Sequence, residues 1–232
     1  MKNIITLITA GGPFPPPNDT TTLTDYYLAR FAKEEAPGKT KLLGIAFSEE
    51  DLFARIKARY VLDVRQRGNR FFEDMELDGK IRRVAKWLLS PAQGLILRGD
   101  MGTGKSTLLR AIYRTLSCFS TFATAPELFD TYRSLLGGGR YMTEHMLFID
   151  DVGTEPSRCV IYGEEHNPLA RILLQRYDKC RYTLLASNLT FSEIGERYGC
   201  RVADRIRETF REIVFVGKSY RSGRRNPSPD GG

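Results

Sequence analysis

Long apolar runs are missing from this chain. No stretch approaches the roughly 18 apolar residues that a membrane-spanning helix needs. The one apolar patch near the N-terminus, Ile4 to Ile8, is too short for a secretory core and runs into a proline cluster. A membrane or secreted protein is therefore not expected, and a cytoplasmic one is. Cysteine and histidine are scarce too. The four cysteines (Cys118, Cys159, Cys180, Cys200) and two histidines (His145, His166) are scattered, with no C-x-x-C pair and no Cys/His cluster. That spacing argues against a structural zinc site or a disulfide framework and for reduced thiols. Acidic residues are the minority charge: 28 Asp and Glu face 35 Lys and Arg, leaving a net charge of +7. The surplus modestly favours polyanionic partners, with a merely solvated basic surface as the lesser alternative.

What the chain has is room for a core. Its 232 residues, 41% of them hydrophobic, suffice for one α/β domain with a smaller appendage. The most telling stretch is Gly99-Asp100-Met101-Gly102-Thr103-Gly104-Lys105-Ser106, followed by Thr107. It fits the P-loop pattern G-x-x-x-x-G-K-[ST] at every fixed position. The apolar run Leu95–Leu97 precedes it, and a helical pattern over 107–117 follows. In such a loop the glycines let backbone N–H groups turn inward around a polyphosphate. Lys105 supplies a charge near the β/γ-phosphates, Ser106 offers a hydroxyl to Mg²⁺, and the helix N-terminus adds its dipole. ATP with Mg²⁺ is the expected ligand pair, and no other metal is expected.

Residues 1–20 are rich in Pro and Gly and read as disordered; residues 21–77 read as a small helical N-terminal region. Within it Tyr26, Tyr27 and Phe31 are either partner anchors or a local core. Ser48 with Glu49, Glu50 and Asp51 reads as an N-cap and acidic first turn, opening a helix to about Arg67. Asp78 is the expected cap of the next helix, which carries Ile81, Val84, Ala85 and Leu88 at helical spacing. From there to residue 222 the chain alternates strand and helix. The apolar runs are Leu95–Leu97, Phe119–Ala125, Met146–Ile149, Tyr182–Ala186 and Ile213–Val216. Such alternation predicts an α/β fold with a parallel five-stranded sheet. Asn167-Pro168 reads as an N-cap and N1 pair, Thr190 with Glu193 as a capping box, and Gly199 as a C-cap. Residues 223–232 form a basic, flexible tail, continuing a cluster of Lys218, Arg221, Arg224 and Arg225.

Three further patterns bear on the nucleotide. Met146-Leu147-Phe148-Ile149-Asp150-Asp151 is an apolar strand ending in two acids, the form of a Walker B motif. Asp150 is the candidate for the Mg²⁺ shell and Asp151 for orienting or deprotonating the attacking water, with Glu155 as a fallback base. Read alone, the two acids are better explained as a polar strand end leading to a turn at Gly153; the P-loop upstream favours the Walker B reading. Thr183 to Asn188 is a strand ending in a polar amide, either a loop cap or a group placed to touch the γ-phosphate. Arg201, Arg205 and Arg207 share a short helix; they make a solvated face, or one of them reaches a neighbouring subunit's nucleotide.

Taken in order, the P-loop, Ile149-Asp150-Asp151-Val152-Gly153, Ala186-Ser187-Asn188-Leu189, Arg201 with Asp204-Arg205-Ile206, and Gly217-Lys218-Ser219-Tyr220-Arg221 resemble the DnaC/IstB group of AAA+ ATPases. The resemblance covers roughly residues 80–222. It implies an AAA+ core over 78–222 without a C-terminal lid domain, Mg²⁺-dependent ATP hydrolysis, Asn188 as sensor 1 and Arg205 as the trans-acting finger, with Arg201 second. It also implies self-association through those arginines, and single-stranded DNA and a replicative DNA helicase as partners, the helicase held by the N-terminal region. A transposition helper of IstB type would carry the same core. A small-molecule P-loop kinase is the reading from a different class, but it leaves the Ser187-Asn188 strand end and the arginine helix unexplained. A nucleotide-gated binding module with negligible hydrolysis also stands, because Asp151 occupies a position where many such ATPases carry Glu.

Overall fold

The computed structural model describes residues 23–28, 47–67, 75–89, 92–116, 120–134 and 139–217. The proline-rich start, Phe31, the basic cluster from Lys218 onward and the tail lie outside these. Helix α1 includes residues 23–28. Two longer helices follow, α2 (Glu49–Gln66) and α3 (Met75–Leu89), and then β1 (Gly94–Gly99) and the P-loop helix α4 (Lys105–Thr115). The chain continues through β2 (Ser120–Thr124), α5 (Ala125–Ser134), α6 (Gly139–Thr143) and β3 (Met146–Val152). A short hairpin, β4 (Cys159–Ile161) and β5 (Glu164–His166), leads into α7 (Pro168–Asp178). The last elements are β6 (Tyr182–Ser187), α8 (Phe191–Tyr198), α9 (Cys200–Thr209) and β7 (Phe210–Phe215).

Five strands form one sheet in the order β2-β3-β6-β1-β7, every pairing parallel. A parallel sheet is covered on both faces, and alternate residues of each strand go to opposite sides. Leu95, Leu97, Phe148, Leu184, Ala186 and Phe215 face a core shared with α2, α3 and α4. Ile96, Leu147, Ile149 and Leu185 face the second core, under α5, α7, α8 and α9. The expected strands are all present, shifted by a few residues at their ends. β7 begins at Phe210 rather than Ile213, because it pairs with the whole of β1 from Gly94 to Gly99.

The caps follow the local chemistry. Ser48 accepts the Asp51 amide, Asn167 accepts the Ala170 amide ahead of Pro168, and Thr190 and Glu193 form a complete capping box. Asp78 is a correction. Helix α3 starts at Met75, so Asp78 lies inside the helix, and its carboxylate accepts Lys57 Nζ of α2 at 2.8 Å. The P-loop helix starts at Lys105, ahead of the expected Thr107, because the loop itself is only as long as the glycines require.

The expected boundary at 77/78 is not a break in packing. Helix α2 lies along α4, with Leu52, Phe53, Ile56 and Tyr60 in the same core as Leu108, Leu109 and Ile112. Arg114 of α4 pairs with the buried Asp63 of α2 at 3.3 Å. On the outer side of α2, Leu23 and Tyr27 of α1 pack on Ala54 and Ala58. Tyr27 is 1% exposed and donates its hydroxyl to Asp51 at 2.6 Å, so its ring is core. Among the described residues no helix is long and apolar enough to cross a membrane.

Candidate nucleotide site

The P-loop leaves β1 at Gly99, whose φ is +138°. A Cβ there would lie 1.9 Å from the Phe215 carbonyl oxygen, so only glycine lets β1 run beside β7 into the loop. Asp100 N–H then donates to the same carbonyl at 3.0 Å. The loop closes at Gly104, φ +94°, which precedes α4 and offers its first amides no side-chain cap. A helix N-terminus without a side-chain cap suits an anion. Inside the loop, Thr103 Oγ1 donates to Asp100 O at 2.7 Å. Lys105 is 6% exposed, and its ammonium donates to Gly99 O at 2.7 Å and Asp100 O at 2.5 Å. The loop is thus wrapped around its own cation. A phosphate entering over the α4 N-terminus exchanges carbonyl partners of Lys105 for stronger, charged ones.

Strand β3 brings Asp150 beneath this loop. Its carboxylate has no exposed surface, accepts the Asp151 amide at 3.0 Å and the Arg110 guanidinium at 3.0 Å, and lies near enough to the Ser106 hydroxyl to be stabilised by it. Burial pushes its pKa above the usual carboxylate value and the neighbouring Asp151 adds to the rise, while Ser106, Arg110 and the Asp151 amide oppose it. A serine hydroxyl beside a carboxylate offers hard oxygen donors of the kind Mg²⁺ takes, and both stand at the base of the anion cradle. The residues present therefore fit a Mg²⁺–nucleotide.

Asp151 is separated from Asp150 by a change of backbone. The ladder between β3 and β6 is irregular between Ile149 and Val152, and Asp151 sits at φ +56° with its side chain exposed. One acid is thereby buried and the next is turned to solvent at the strand end. Strand β6 lies between β3 and β1, with Ser187 opposite both Val152 and Arg98. Ser187 Oγ donates to Val152 O at 2.8 Å and accepts the Leu189 amide at 3.1 Å, which fixes the turn. Exposed Asn188 follows at the same sheet edge as the P-loop and Asp151.

The arginines of α9 stand apart from this group. Arg205 pairs with Glu208 at 2.8 Å and lies 4.6 Å from the centre of the Tyr177 ring. Arg201 is exposed, and no ion pair or hydrogen bond holds it among the described residues. Glu155 is a second correction. It is 2% exposed, and its carboxylate accepts Gly153 N–H at 3.0 Å and Tyr198 O–H at 2.5 Å. Arg197 bonds its backbone carbonyl and lies 3.5 Å from its carboxylate. A carboxylate so occupied does not serve as a base; it ties the turn after β3 to α8.

Two residues escaped the sequence reading. Arg110 follows Ser106 by four positions, so both share a face of α4, and that spacing was a usable signal. Tyr60 of α2 was not foreseeable. Its hydroxyl lies 2.4 Å from where a Cβ on Gly104 would be, so α2 reaches the P-loop itself.

No protein-family model and no curated protein matches this sequence. Solved structures do match it. The DnaC helicase loader is 18% identical over 63% of this chain and 94% of its own, with a TM-score of 0.51. DnaI is 22% identical over 63% of this chain and 88% of its own, with a TM-score of 0.50. The fold, a parallel five-stranded sheet with a P-loop after β1, is shared with these structures. At these identities the likeness is one of fold, and it agrees with the resemblance carried by the sequence motifs.

Proposed function

We propose that this chain is an ATP-dependent DNA-replication helicase loader, an ATPase that assembles through ATP and holds single-stranded DNA and a replicative helicase. The observation that carries the nucleotide part is the fully buried Asp150 carboxylate beside Ser106 at the foot of the P-loop, with Asp151 and Asn188 exposed at the same end of the sheet. Lys105 and the first amides of α4 bind the phosphates. Ser106 and Asp150 hold Mg²⁺, which supplies charge to the β/γ-oxygens. Asp151 orients the attacking water or accepts its proton, and Asn188 positions that water or the γ-phosphate. Charge at the departing phosphate comes from an arginine of the next subunit, Arg205 by motif or Arg201 by its freedom.

The loader part rests on the fold shared with the DnaC helicase loader, on the motif order and on the basic charge of the chain. Single-stranded DNA binding is expected to need ATP, to be nearly independent of sequence and to weaken with salt. Fluorescence anisotropy at several salt concentrations measures it, and tagged protein recovered from the native host is expected to bring the helicase with it. Recovery of a transposase instead identifies a transposition helper. Absence of both DNA binding and the helicase would overturn the proposal.

A further inference from the structure

The Walker B carboxylate already has a cation. Asp150 Oδ2 accepts Arg110 Nη2 at 3.0 Å, and Oδ1 accepts the Asp151 amide at 3.0 Å. Asp150 is fully buried, whereas the Arg110 side chain is 28% exposed. The guanidinium lies 5.8 Å from the centre of the Phe122 ring on β2, a face on which a cation is comfortable. No other acid pairs with Arg110 among the described ion pairs, so its one partner is the acid assigned to Mg²⁺.

We propose that Arg110 is a built-in counter-ion for Asp150, balancing the buried carboxylate while the site is empty and competing with Mg²⁺ for it. This rests on the reading of the P-loop and Asp150 as a Mg²⁺–nucleotide site. Arg110 is a positioning residue: it touches neither substrate nor reacting atoms. A buried carboxylate without a partner is costly, so the empty site needs a cation. A metal arriving with nucleotide takes over that task, and the guanidinium swings out along the path that leaves it partly exposed. The competition sets the Mg²⁺ concentration at which nucleotide binds tightly.

The test uses R110Q, R110K, D150N and the double variant R110Q/D150N of the full chain, with two readouts. The first is the melting temperature in EDTA. R110Q is expected to melt roughly 6–20 °C lower than wild type. R110K is expected to recover most of that loss, and R110Q is expected to cost little more once D150N is present. The second readout is Mg²⁺ titration at fixed fluorescent ADP analogue. The midpoint is expected to fall by roughly tenfold in R110Q, the order of the Coulomb effect of one charge on a divalent ion a few ångströms away in a watery dielectric. Additive melting losses would overturn the counter-ion role. An unchanged or raised Mg²⁺ midpoint in R110Q would overturn the competition. Absence of nucleotide binding by the wild type would defeat the nucleotide reading and the competition with it, while the melting cycle still decides the counter-ion role.

Discussion

Glu155 is a strut, and its replacement by glutamine separates that role from catalysis. Glutamine keeps the shape of the side chain but removes its charge and turns one acceptor into a donor. Gly153 N–H and Tyr198 O–H both point at the carboxylate, so one of them meets an NH₂ group unless the tyrosine hydroxyl rotates. The ion pair with Arg197, whose side chain is 25% exposed, is lost as well. Two charge-assisted hydrogen bonds become neutral ones at about 1 kcal/mol each, and the ion pair adds a fraction of that, giving about 2–3 kcal/mol in all. For a chain of this length such a loss lowers the melting temperature by roughly 5–10 °C. Urea denaturation of E155Q at 25 °C should show the lower midpoint with an unchanged slope. ATP binding, and turnover per folded molecule well below the melting temperature, should stay near wild type. Wild-type stability together with abolished hydrolysis would refute the reasoning and make Glu155 the base.

Other outcomes follow from the same geometry. Y27F loses the hydrogen bond to Asp51 and should cost about 1–1.5 kcal/mol by urea denaturation, with no change in helicase recovery, since Tyr27 is core rather than an exposed anchor. His145 is held below its usual pKa by burial and by Arg181 and Arg176. The unfolded chain therefore binds its proton first, and the stability of wild type relative to H145Q should fall as pH drops through about 6.5, a comparison that urea midpoints at pH 7.5 and 5.5 provide. R205A and R201A should each bind ATP normally, and the one that removes the finger should lose hydrolysis by roughly 10³-fold. Mixing that variant with K105A should restore some activity, and steady-state ATPase rates that stay constant on dilution in every variant would exclude a finger acting between subunits.

Much of the site was legible because its chemistry is local. The P-loop is one uninterrupted run whose glycines answer to backbone conformations and close approaches, as at Gly99 and Gly104. Asp150, Asp151 and Asn188 stand at ends of apolar strands, and parallel order follows from alternation with helices. What stayed hidden is pairwise and distant in sequence. Arg110 meets Asp150 across 40 positions, Tyr198 meets Glu155 across 43, and no periodicity links either pair. Tyr60 reaches Gly104 only because α2 docks along α4, which makes the N-terminal region part of the P-loop's own packing. The hairpin of β4 and β5 was missed for a different reason. Its two-residue turn, Tyr162 at φ +51° and Gly163 at φ +84°, has the glycine such turns need, but tyrosine stands where Asn or Asp is the usual signal.

The measurement closest to the central claim is calorimetric titration of wild type and K105A with ATP in the presence of Mg²⁺. Lys105 is buried against Gly99 O and Asp100 O, waiting for a stronger acceptor. Wild type is expected to bind one ATP per chain, and K105A to lose that binding while keeping its fold by circular dichroism. Equal ATP affinity in the two proteins, or no binding by wild type, would contradict the account.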